Sequence, residues 1–103
     1  MKKESSVDTL VISLCLDYFR RKAALAERSV SKRVDTEFRY LNFKIFDAAA
    51  EIVGESDAEI YIKEVGERVG YAKSELYMLS EVTYKQYKRM IKDNIAKKLH
   101  LTD

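Results

Sequence analysis

The stretch Glu64-Val65-Gly66-Glu67-Arg68-Val69-Gly70-Tyr71-Ala72-Lys73-Ser74-Glu75-Leu76 decides how this chain folds. It holds two of the three glycines in a sequence without proline, so helices are most readily interrupted here. Shortly after it comes Ser80-Glu81-Val82-Thr83-Tyr84-Lys85-Gln86-Tyr87-Lys88-Arg89, a helix start loaded with polar and basic side chains. The resulting order is short helix, glycine turn, short helix, basic helix. With so few breakers elsewhere, long helices are expected on either side.

Upstream, Ser5 or Ser6 can cap a first helix with Asp8 in its first turn. Val7, Leu10, Val11, Leu14, Cys15, Tyr18 and Phe19 follow helical spacing, and Ile12 and Leu16 add a second apolar stripe. A helix apolar on two sides needs two partners, either within a small bundle or in a second subunit. Arg20-Arg21-Lys22 and Glu27-Arg28 read as a polar helix end, and Ser29-Val30-Ser31 as a linker whose Ser31 caps the next helix. Val34, Phe38, Leu41, Ile45, Ala49 and Ile52 then form a helical stripe, with Tyr40 and Phe43 off it. Gly54 is expected to end this helix in the left-handed conformation.

Downstream, Ser56-Asp57-Ala58-Glu59 has the pattern of a capping box. The third helix should carry Ile62, Val65 and Val69 inward and end at Gly70, and Ala72–Leu79 can form two further turns. Ser80 caps the last helix, whose core stripe is Tyr84, Tyr87, Ile91, Ile95 and Leu99. No segment has a strand period. The expectation is a single all-α domain over 1–103 with about five helices. Residues 1–54 would form two long helices serving as a support or dimerisation hairpin, and 56–101 a helix-turn-helix-like trihelical unit.

Composition narrows the function classes. At 103 residues, 47% hydrophobic and 35% charged, the chain can bury a modest core and is not of disordered type. Lone Cys15 sits between Leu14 and Leu16 as a core filler, which suits a reducing cytoplasm. Leu10–Leu16 is too short an apolar run to span a bilayer. His100 stands alone near the end, so neither a metal cluster nor a Cys–His nucleophile can be assembled, and Gly66-x-x-x-Gly70 lacks the Lys-Ser/Thr of a phosphate loop. No enzyme activity, metal or cofactor is expected. Tyr84 and Tyr87 fall on core positions, so packing rather than base stacking accounts for them.

The formal charge of +2 conceals a pattern: residues 20–44 carry +5, residues 45–82 carry −6, and residues 83–103 carry +4. Glu59, Glu64, Glu67 and Glu75 read as charges that keep the middle of the protein soluble. A basic pole can attract phosphate or an acidic partner.

Two helix-turn-helix registers fit. In the first, Val65, Gly66, Val69, Gly70, Tyr71 and Leu76 fill core positions and Ala72-Lys73-Ser74-Glu75 opens the recognition helix, with Lys73 and Ser74 facing the groove. This turn resembles that of sigma-factor region 4 and many small bacterial regulators, but carboxylates crowd it. In the second register the helix from Ser80 meets DNA. Lys85, Arg89 and Lys92, with Lys88 beside them, would contact phosphate, while Thr83 and Gln86 lie near its start. Ser80-Glu81-Val82-Thr83-Tyr84, Tyr87-Lys88 and Asn94-Ile95-Ala96-Lys97-Lys98-Leu99 resemble the C-terminal segment of ArpU-type phage transcriptional regulators.

The resemblance covers the last quarter of the chain. It implies a small sequence-specific DNA-binding transcriptional regulator of phage or mobile-element origin, with duplex DNA as partner. Dimerisation through the N-terminal helices would supply the two-fold symmetry of palindromic operators. The alternative is a non-enzymatic helical protein–protein module, inhibitor or antirepressor-like, using the acidic 45–82 surface.

Overall fold

The computed structural model describes residues 5–28, 30–76 and 78–101. Five α-helices follow one another: α1 (Ser6–Leu16), α2 (Tyr18–Glu27), α3 (Lys32–Val53), α4 (Glu55–Gly66) and α5 (Glu81–Lys98), with a 3-10 turn at Tyr71–Lys73. No strand occurs among the described residues, and no described helix is long and apolar enough to cross a membrane. The all-α architecture is the expected one, but the five helices are divided differently.

Three serine caps set the starts of α1, α3 and α5. The Ser5 hydroxyl accepts the Asp8 N–H at 3.0 Å, Ser31 that of Val34 at 3.4 Å, and Ser80 that of Thr83 at 3.1 Å. The expected capping box at Ser56 is not used, because α4 begins at Glu55 with Gly54 as its cap, two residues earlier. Gly54 ends α3 as anticipated, at a positive φ of +88°, though its ψ of 161° lies outside the left-handed helical well. That conformation turns the chain directly into α4 and is open to glycine alone.

The first helix, expected as one element with its polar end at Arg20-Arg21-Lys22 and Glu27-Arg28, is divided at Asp17 into α1 and α2, with no glycine or proline to announce the bend. Side chains explain the bend. Buried Arg21 donates from Nη2 to the Leu14 carbonyl (2.7 Å) and from Nε to Asn42 Oδ1 (2.7 Å), and Asn42 Nδ2 donates to the Tyr18 carbonyl (3.1 Å). Backbone carbonyls on both sides of Asp17 are thus satisfied by side chains, which is how a helix bends without proline. Burial pushes the Arg21 guanidinium below its ordinary pKa.

The core is shared by both halves of the chain. Val11, Cys15, Ile45, Ile62, Ile91 and Ile95 are fully buried, and α3 packs chiefly on α4 and α5 while α1 packs on α4. The segments on either side of Gly54 therefore do not form a separate hairpin and reading unit. Gly66 is where α1 and α4 cross: a Cβ there would lie 2.5 Å from Leu16 N and 2.8 Å from Cys15 C, both backbone atoms. The expected close crossing exists, but with α1 rather than a following helix.

Candidate nucleic-acid interface

Residues 67–80, between α4 and α5, shape the surface on which the basic side chains stand. α4 stops at Gly66 because Arg68 takes a left-handed conformation (φ +55°), not because of Gly70, whose φ is −81°. Ala72–Leu79, expected as two helical turns, forms only the 3-10 turn and irregular turns among its described residues. The cause is Glu64. Its carboxylate is 3% exposed and accepts from Ser74 Oγ (2.6 Å), Tyr84 OH (2.7 Å) and the Glu75 N–H (2.9 Å). Ser74 Oγ in turn accepts the Leu76 N–H at 2.8 Å, and Tyr71 OH donates to the Leu79 carbonyl at 2.5 Å. Backbone and side chains in this segment are committed to Glu64 instead of to a helical ladder. Burial alone would raise the Glu64 pKa, but the hydrogen bonds from Ser74, Tyr84 and Glu75, with Lys88 nearby, hold it below the ordinary carboxylate value.

Among the described residues neither register has the helix-turn-helix spacing, although the helix from Ser80 that the second register would bring to DNA is present as α5. The first lacks its recognition helix. In the second, α4 and α5 are separated by residues 67–80, far beyond the roughly 3–4-residue turn of that motif. The main partner of α5 is α3, against which it buries Ile91 and Ile95.

A different basic feature takes its place. Arg68, Lys88 and Lys92 surround a cavity of about 230 Å³ whose apolar lining comes from Ile12, Val65 and Val69. No carboxylate lines it among the described residues. Lys88 Nζ donates to the Val69 carbonyl at 2.7 Å and stands 5.0 Å from the Tyr84 ring centroid, a cation–π position. Burial and then repulsion from Lys92 depress the Lys88 pKa, with Glu64 opposing them. Lys92 has no ion pair or hydrogen bond among the described residues.

The eight residues expected to contact DNA fall into three groups. Lys88 and Lys92 meet at the cavity. Lys85, Gln86 and Arg89 are exposed on α5, where Lys85 pairs with Glu81 at 3.0 Å, and Lys73 is exposed on the 3-10 turn. Ser74 and Thr83 are committed internally. Ser74 is 6% exposed and bound to Glu64, so it cannot reach a groove. Thr83 is part of the Ser80 cap, its hydroxyl accepting from Ser80 Oγ at 2.8 Å. Sequence reading missed Arg68, because it placed that residue inside a helix; a left-handed arginine carries no compositional signal.

The acidic block is also largely committed. Lys98 bridges Asp47 (2.9 Å) and Glu51 (2.7 Å), and Glu59 accepts from Lys22 (2.6 Å) and Tyr18 OH (2.9 Å). Lys63 lies 3.8 Å from Glu75, and Glu64 is buried. Among the described residues no three His, Cys, Asp or Glu side chains gather as a metal site. No protein-family model, curated protein or solved structure matches this chain.

Proposed function

We propose that this protein binds duplex DNA without catalysing a reaction, through phosphate contacts made by α5 and the turn that carries Arg68. The observation that supports this most is the gathering of Arg68, Lys88 and Lys92 around one cavity free of described carboxylates, with exposed Lys85 and Arg89 on the same helix. The pairing of Asp47, Glu51 and Glu59 with lysines weakens the electrostatic objection raised by the acidic block. Exposed Gln86 is the side chain of α5 best suited to base edges. A role in transcriptional regulation, in a phage or mobile-element setting, belongs to the same proposal and rests on the ArpU-like C-terminal residues. Two-fold assembly would use apolar side chains left exposed on the first three helices, Leu10, Leu16, Phe19, Tyr40 and Phe43.

The second reading, a helical protein–protein module, is favoured by those same apolar residues rather than by the acidic 45–82 surface. Fluorescence anisotropy with random duplex DNA separates the two. The DNA reading expects binding at low salt that weakens as salt rises and is abolished when Lys85, Arg89 and Lys92 are together changed to Gln. A folded protein that leaves DNA unbound at low salt moves the assignment to a protein partner.

A further inference from the structure

We infer that the cavity between Arg68, Lys88 and Lys92 is a seat for a single phosphate group. This deepens the DNA-binding reading and rests on it only for the source of the phosphate. Three features mark the cavity as more than a solvated basic face. Its cations come from two separate elements, the turn after α4 and successive positions 88 and 92 of α5, so the fold rather than one helix surface brings them together. Lys88 is held in place by the Val69 carbonyl and the Tyr84 ring, which makes it a pre-positioned charge instead of a mobile one. The lining lacks a described carboxylate, although Lys85 and Lys98 each have one close by.

The volume open to the centres of water molecules, about 230 Å³, far exceeds the roughly 10–15 Å³ that one water needs by that measure, and so admits a tetrahedral oxyanion with part of its hydration. Apolar Ile12, Val65 and Val69 behind the cations lower the local dielectric and strengthen attraction to an anion. An anion seated there would offset the repulsion between Lys88 and Lys92. The ligand chemistry is a phosphate group, either a backbone phosphodiester of DNA or free phosphate.

The test is a titration of the full chain with inorganic phosphate, at constant ionic strength against chloride, followed by amide NMR shifts of Val69 and Gly70. Saturable shifts at millimolar phosphate are expected. Lys92→Gln should weaken binding about tenfold, the effect of one charge-assisted contact. Lys97→Gln removes an equal charge from an exposed position of α5 outside this cavity and should leave affinity within about twofold. A short duplex is then added. Displacement of phosphate from the cavity supports the inference with a backbone phosphodiester as the source. Phosphate binding that duplex does not displace supports the inference with free phosphate as the source, and a duplex that does not bind at all removes the DNA reading. Duplex binding by a protein that gives no phosphate response at Val69 and Gly70 overturns the inference and leaves the DNA reading standing. Absence of phosphate shifts, or equal loss in both variants, also overturns it.

Discussion

Replacing Glu64 with alanine should unravel the segment that carries Arg68 and the cavity. The carboxylate is buried and holds three donors: Ser74 Oγ, Tyr84 OH and the Glu75 N–H. Tyr84 OH can fall back on the Val69 carbonyl, already 3.2 Å away, so two donors lose their acceptor outright. At roughly 1–3 kcal/mol for each buried donor left unpaired, Glu64→Ala should cost about 2–6 kcal/mol. That is a large share of the roughly 5–15 kcal/mol that stabilises a domain. Glu64→Gln keeps one carbonyl acceptor and should cost about 2 kcal/mol, the difference between a charged and a neutral acceptor for these donors.

Because the folded-state pKa of Glu64 is depressed, its stabilising contribution is full above the unfolded glutamate value. It is lost as pH falls through the folded value. The stability difference between wild type and Glu64→Gln should therefore narrow on acidification. Urea unfolding at neutral and acidic pH measures both effects, and hydrogen exchange should localise the loosening to residues 67–80. A cost for Glu64→Ala below about 0.5 kcal/mol, typical of surface positions, would refute the role given to this carboxylate.

The two glycines of the same region should behave oppositely. Gly66→Ala drives a Cβ into the backbone of Leu16 and should destabilise by about 1–3 kcal/mol, even after the gain in helix propensity. Gly70→Ala meets nothing within 4 Å at a negative φ and should be neutral or stabilising by up to about 1 kcal/mol; thermal unfolding compares the pair. Tyr61 OH is buried with no hydrogen-bond partner among the described residues, so Tyr61→Phe should leave stability unchanged or raise it by up to about 1 kcal/mol, and a loss of about 1 kcal/mol or more in urea would reveal a partner. Burial pushes the Cys15 thiol up to about 12, so a thiol reagent at pH 8 should modify it only at the rate of unfolding.

What the sequence made legible was local. Ser5, Ser31 and Ser80 announce their helices because a short oxygen-bearing side chain before apolar periodicity has one favourable use, and all three cap. The stripe from Val34 to Ile52 puts Ile45 and Ala49 in the core for the same reason of periodicity. Long-range partners were not legible. Gly66 indicates that some backbone comes near, not that it belongs to α1. Glu64 has the composition of a surface charge, and only its distant partners Ser74 and Tyr84 make it a buried anchor that keeps Ala72–Leu79 from becoming a helix. Arg21 misleads in the same way, since Asn42 on α3 is what lets it lie buried. Of the candidate site, the cationic positions of α5 could be read from helical spacing, but the meeting of Lys88 and Lys92 with Arg68 depends on that anchored turn.

The salt dependence of duplex DNA affinity, compared between wild type and Lys92→Gln, tests the central claim most directly. One phosphate held at the cavity, with one each at Lys85 and Arg89, predicts a slope of log affinity against log salt of about −3. Loss of one phosphate contact in Lys92→Gln should reduce its magnitude by about 1. A wild-type slope near zero, or identical slopes for the two proteins, would contradict phosphate recognition at this cavity.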